Sequence, residues 1–409
     1  MPAPLFFRRT TTVAAVAVTA LLPTSCSLST DHRATGSPGQ DRGCITDFDP
    51  EKDYYPDKVV FEDATNVKVQ YKKSHKIVTV AQPAPGAPPQ TYVLVRCGAP
   101  APELTGDLAG ARKFSIPAKR VAAASTTQVP AYDLLGKVDA LVGVGSADKL
   151  APGTVKEAVD AGRIKGFKQD GVDISAEQVV SLKPDLYVTS GTSKSSDVKL
   201  AELGVPVVAN AEWLEKTALG RAEWTKFTAL FLDEEKKATE VYAKIRADYQ
   251  AVAEKAKSVA SRPTVLLGSM SRGTWYATAA DSYVANEIKD AGGDYILQEV
   301  AGTGSKPLDL EVVLGKGSQA QFWLGATHSS PWKSLAEPVK DDARLGNLEA
   351  VKNGRVWTFT KRMTPGGGND YWQSGVVRPD RVLADLVAIL HPELMPGHEF
   401  TYYEQVPKA

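Results

Sequence analysis

Two stretches combine a guanidinium group with flat aromatic rings. That mixture suits capture of an anionic metal chelate or a flat macrocycle. The first is Met270-Ser271-Arg272-Gly273-Thr274-Trp275-Tyr276, which follows a short apolar run. The second runs from Lys361 to Trp372, where Gly366, Gly367 and Gly368 separate Arg362 from Tyr371 and Trp372. Consecutive glycines give a mobile loop whose backbone can approach a ligand closely. The triple glycine lacks the Lys-Ser/Thr that follows in a P-loop, so nucleotide binding is rejected. Ser125, Thr126 and Gln128 lie just beyond one predicted strand, and Trp213 lies beyond another. The expected ligand set is therefore Ser125, Thr126, Gln128, Trp213, Arg272, Trp275, Tyr276, Arg362, Tyr371 and Trp372.

Covalent chemistry finds less support. The segment Gly268-Ser269-Met270-Ser271-Arg272-Gly273 approaches a nucleophile elbow but fails its Gly-x-Ser-x-Gly spacing. The histidines His32, His75, His328, His391 and His398 do not cluster, and the cysteines have no zinc-site spacing, so no metal site and no enzyme are expected. His328, beyond the run Gln321 to Leu324, matters only as a candidate haem ligand. The formal net charge of zero and the absence of a basic stripe give no reason to expect nucleic acid.

The elements that must position these residues are short strands alternating with helices. From Arg120 the apolar runs Val121–Ala124, Ala140–Val144, Asp185–Val188 and Val205–Ala209 alternate with helical segments. Such alternation predicts a parallel sheet with helices on both faces, and ligands sit beyond the carboxyl ends of its strands. Arg221 to Val259 contains no Gly or Pro and repeats apolar residues at helical spacing, with Asp233-Glu234-Glu235 suited to starting a second helix. After Arg262-Pro263 the alternation starts afresh. The fold class expected is α/β: two Rossmann-like lobes joined by one long backbone helix, behind a β-rich leader. The boundaries are 120–220, 221–262 and 263–409 for lobe, helix and lobe, and 44–119 for the leader.

Arg8 and Arg9, the apolar run Val13–Leu22 and the small residues before Cys26 resemble a bacterial lipoprotein signal, with Pro23 where Leu is preferred. Residues 1–25 are then signal peptide, Cys26 the lipidated residue, and 26–43 a tether rich in Ser, Thr, Gly, Asp and Pro. Export places Cys44 and Cys97 in an oxidising compartment, where a disulfide is expected.

The stretches 120–128, 174–188, 210–227 and 366–393 together resemble the helical-backbone class of ABC-importer binding proteins, which includes siderophore, haem and cobalamin binders. The resemblance covers residues 120 to about 395. It implies a ferric siderophore as ligand, with cobalamin or haem as alternatives, an ABC permease and its ATPase as partners, and a monomer at the outer face of the membrane or in the periplasm. It also implies one docking carboxylate per lobe for permease arginines. Glu177, ahead of Leu182-Lys183-Pro184-Asp185-Leu186, matches the first. Glu311 matches the second, although Ala320-Gln321 replaces the usual Pro-Asp or Ala-Asp. Free metal-ion capture is the lesser alternative, since the strand ends carry Ser, Thr, Gly, Asn and Arg in place of His and carboxylates.

Overall fold

A computed structural model describes residues 43–170, 173–192, 194–325 and 331–408. The signal peptide, Cys26, most of the tether and His328 lie outside the described residues.

The leader is a four-stranded sheet of β1 (Val67–Tyr71), β2 (His75–Val80), β3 (Gln90–Arg96) and β4 (Arg112–Ile116), in that order. Cys44 and Cys97 are disulfide-bonded across a sequence separation of 53. The leader does not have a core of its own. Val78, Val80, Tyr92, Leu94 and Phe114 share one apolar cluster with Val121 and Val144 of the first lobe and with Trp224, Phe227 and Phe231 of the helix that follows that lobe. The boundary at 119/120 separates two sheets within one core.

In the first lobe, β5 (Val121–Ala123), β6 (Leu141–Gly145), β7 (Lys165–Phe167), β10 (Leu186–Thr189) and β11 (Val207–Ala209) form a parallel sheet in the order β11-β10-β5-β6-β7. A small antiparallel pair, β8 (Gln169–Asp170) and β9 (Asp173–Ile174), precedes β10. The helices are α1 (Val129–Leu134), α2 (Thr154–Asp160), α3 (Ala176–Ser181) and α4 (Lys194–Glu202). The strand order reverses direction between β5 and β10, which makes that gap the topological switch point.

The helical stretch expected over 221–262 is two helices, divided at the Asp233-Glu234-Glu235 segment suited to a second start. Helix α5 (Ala218–Leu232) ends at Asp233, a left-handed residue with φ 59°, and α6 (Glu235–Lys257) starts afresh. The break has an electrostatic cause that lies far away in the chain. Leader residues Arg96 and Lys76, both buried, ion-pair with Asp233 and Glu235 respectively, and the Lys76 ammonium also donates to the Leu230 carbonyl at 2.9 Å. A cation at the last carbonyls of a helix is favourable, and Asp tolerates the left-handed turn. Helix α6 then does the joining. Ala238 lies in the first lobe's cluster, whereas Tyr249 and Ala256 lie in the second lobe's. At 1.5 Å per residue its 23 residues span about 35 Å.

The second lobe contains β12 (Thr264–Leu267), a meander of β13 (Ser269–Ser271), β14 (Thr274–Thr278) and β16 (Ser305–Leu308), then β15 (Asp294–Tyr295), β17 (Phe322–Leu324), β18 (Val356–Thr358) and β19 (Glu404–Gln405). Its main sheet has the order β15-β12-β17-β18-β19, parallel except for β19. Here the switch point lies between β12 and β17. Helices α7 (Tyr283–Asp290), α8 (Leu310–Gly317), α9 (Ala336–Asp341), α10 (Glu349–Lys352), α11 (Ser374–Val377) and α12 (Pro379–Leu390) complete it.

Removing Lys76 would strand Glu235 in the core, while Asp233 keeps Arg96. Lys76→Met is expected to lower unfolding free energy by about 3–5 kcal/mol, because a broken buried pair leaves an uncompensated charge. Urea denaturation measures this, and an unchanged midpoint would refute the role given to the pair.

Candidate ligand site

At the first lobe's switch point, Ser125 and Thr126 follow β5 and are half-buried. The Ser125 hydroxyl bonds that of Thr127 at 3.0 Å, forming a tight polar turn. Gln128 is buried beneath it and accepts from the Ser125 N–H at 3.4 Å, so it braces the turn. Trp213 is half-buried, and its indole N–H donates to the Ser190 carbonyl at 2.9 Å. That bond ties the loop after β11 to the end of β10 and leaves the Trp213 ring at the rim.

At the second lobe's switch point the loop anticipated over 270–276 is a hairpin. Ser271 pairs with Thr274, so the turn is only Arg272-Gly273, with φ 49° and 80°. Two successive positive φ values match the turn that suits a two-residue hairpin. Arg272 thus stands at an exposed tip. Beyond it the strand alternates: Trp275 is fully buried on Trp323, ring centres 5.4 Å apart, while Tyr276 is 40% exposed. Trp275 is therefore a core residue and leaves the ligand set; Tyr276 stays.

The 361–372 stretch is corrected in two respects. Tyr371 is buried, stacked on Phe359 at 4.5 Å, with Tyr402 and Tyr403 edge-on; this desolvation raises its pKa well above the ordinary value. It belongs to the core. The glycines are not a mobile cradle for a ligand, because Gly366 and Gly368 lie against the Asp148 and Lys149 carbonyls of the other lobe. Arg362 is exposed, with Nε 2.8 Å from the Asp370 carboxylate, and Trp372 is half-buried against Phe359.

Glu177 and Glu311 occupy matching places. Each is exposed in the first turn of a capped helix, α3 behind Ser175 and α8 behind Asp309. Those helices lead into β10 and β17, the strands that flank the two switch points. Each carboxylate pairs with a base of its own lobe, Glu177 with Lys199 and Glu311 with Arg344. The hydrogen bond from Lys199 lowers the Glu177 pKa.

A buried polar knot, not foreseen from the sequence, lies where α5 meets the second lobe. The Arg221 guanidinium bonds Glu212 at 2.7 Å and lies 4.0 Å above the Tyr283 ring. Beside it Glu287 is buried, and desolvation pushes its pKa up to about 8. Tyr283, Glu287 and Arg221 border a cavity of about 10 Å³, room for one water. No short-range motif links these residues, so only the folded chain reveals them. Among the described residues no group of three or more His, Cys, Asp or Glu could hold a metal ion.

The sequence profile described as periplasmic binding protein matches residues 121–363, from the first residue of β5 onward. An uncharacterised lipoprotein of Methanocaldococcus jannaschii is 28% identical over 305 residues, covering 71% of this chain and 69% of its own. A periplasmic heme binding protein from Pseudomonas aeruginosa superposes with a TM-score of 0.56 at 18% identity, covering 71% of this chain and 99% of that one. The Helicobacter pylori Ceue structure with Ni(II) bound gives 0.53 at 19%, covering 70% and 88%. These likenesses establish a common fold.

Glu287 also predicts a pH dependence. Its folded pKa is raised from 4.5 to about 8, so its contribution to stability is present below 4.5 and lost as pH rises toward 8. Thermal unfolding of the wild type is expected several degrees lower at pH 8.5 than at pH 5.5, a gap that narrows in Glu287→Gln. Equal gaps in both proteins would remove Glu287 as the titrating group.

Proposed function

Because the chain belongs to the periplasmic binding protein family, we propose that it is the extracytoplasmic solute-binding component of an ABC importer and captures an iron-siderophore-type chelate between its lobes. The observation that carries this reading is the pairing of two switch points on one strut. Each sheet reverses its strand order once, and α6 contributes side chains to both cores. Ligands of open α/β sheets bind beyond the strand ends at such points.

The residues that remain available to a ligand are Ser125, Thr126, Trp213, Arg272, Tyr276, Arg362 and Trp372. Arg272 on its exposed turn offers a guanidinium to an anionic chelate, and Tyr276 and Trp213 offer flat faces. The Ni(II)-bound and heme-binding neighbours support a chelate-type ligand by analogy of fold. Lipidation at Cys26 would hold the protein at the outer face of the membrane; among the described residues no helix is long and apolar enough to cross one. Delivery would place Glu177 and Glu311 against arginines of the permease. Their present partners are solvent-exposed and such pairs are weak, so permease arginines can displace Lys199 and Arg344 at little cost. The ATPase acts on a separate chain, and no catalytic step is assigned to this one.

Titration of tryptophan fluorescence with ferric hydroxamate and ferric catecholate siderophores, haemin and cobalamin tests the ligand class. Saturable quenching by a ferric siderophore is expected, weakened about tenfold or more in Arg272→Ala through loss of a charged hydrogen bond. Saturation by cobalamin or haemin alone would overturn the siderophore assignment. The double variant Glu177→Ala/Glu311→Ala should bind the same ligand unchanged yet fail to import it. Normal uptake of radiolabelled chelate by cells carrying it would refute the docking roles.

A further inference from the structure

The glycines at 366 and 368 have no conformational reason to be glycine. Of the three, only Gly367 has a left-handed backbone, with φ 77°. A Cβ at Gly366 would nonetheless lie 2.0 Å from the Asp148 carbonyl oxygen, and one at Gly368 would lie 1.8 Å from that of Lys149. The space a side chain would need is filled by the backbone of the opposite lobe. The loop carrying them is internally braced: Thr364 N–H donates to the Gly368 carbonyl at 2.8 Å, Gly368 N–H returns to the Thr364 hydroxyl at 2.8 Å, and Met363 bridges Asn369. A few residues on, the Gln373 side-chain carbonyl accepts the Ala151 N–H of the first lobe at 3.0 Å.

Topology places this contact beside the ligand site. The two segments follow β6 and β18, each the immediate neighbour of a switch-point strand, β5 in one sheet and β17 in the other. Resting on the chelate-capture reading, we propose that Gly366, Gly368 and Gln373 form an inter-lobe clasp, a tie separate from α6 and from the Arg221 knot, which sets the width of the ligand cleft and closes its β6/β18 flank. These are positioning residues. Ligand therefore enters without opening this flank, and any side chain at 366 or 368 wedges the lobes apart.

The test uses Gly368→Val in a Cys26→Ser chain bearing nitroxide labels at Arg163→Cys and Lys352→Cys, exposed positions on opposite lobes. Pulsed electron–electron resonance should show one narrow distance in the unwedged protein, and a longer, broader one in Gly368→Val. The ferric siderophore that quenches the unwedged protein should bind the wedged one about tenfold more weakly or worse. An unchanged label distance overturns the clasp whatever the affinity. A longer distance with unchanged affinity overturns its role in setting the cleft. Should Gly368→Val fail to fold, Gly366→Ala sets a smaller wedge against the Asp148 carbonyl and is read by the same two outcomes. If the unwedged protein is quenched by no member of the panel, chelate capture fails, while the label distance still decides the clasp.

Discussion

Helix α6 must satisfy two cores at once. Its first turns bury Ala238 among the leader, α5 and the first lobe, and its last turns bury Tyr249 and Ala256 in the second lobe. A helix transmits rotation and translation rigidly along its length, so the orientation of its first turn governs where the second lobe's strand ends face. That first turn is held by charge as much as by packing. Lys76 and Arg96 reach from the leader to Glu235 and Asp233, and all four are nearly excluded from solvent. The leader is thus part of the frame that orients the second lobe.

The same seam shows how buried carboxylates are kept paired. Glu223 accepts the backbone N–H groups of Glu62, Asp63 and Ala64 at 2.7–3.0 Å and also pairs with Lys226 at 2.6 Å. Glu215 accepts from Thr65 and Asn66 and from the Trp224 indole at 2.9–3.0 Å. Segment 62–66 has no sheet partner for these donors, so two side chains from the α5 region complete its hydrogen bonding. Asp63 in turn bonds Tyr242 and Arg246 of α6 at 2.5 and 2.7 Å. Leader, α5 and α6 are cross-linked into one unit by polar contacts whose loss would strand buried groups.

Around the cleft, the division between rim and core follows from backbone geometry more than from residue type. The turn at Arg272-Gly273 fixes the phase of β14, which sends Trp275 inward and Tyr276 outward although both are large aromatics. Tyr371 and Trp372 are neighbours as well, yet one completes an aromatic layer with Phe359, Tyr402 and Tyr403 while the other stays half-exposed. In the triple-glycine loop the space left by missing side chains is taken by the backbone of the other lobe.

Alternating strands and helices and the break in texture at Arg120 are local signals, and from them the sequence by itself determined an α/β protein of two lobes behind a β-rich leader. It also determined the capped helix starts bearing Glu177 and Glu311, because capping depends on residues within one turn. Only the tertiary structure decided that the leader shares the first lobe's core, that its cations meet the break at Asp233, and which aromatics are buried. Each of these rests on groups separated by more than a hundred residues or on the phase of a strand set by its turn. Lys76 meeting Glu235, or Gly368 meeting Lys149, leaves no trace in the spacing of either segment, since each contact exists only once distant segments have folded together.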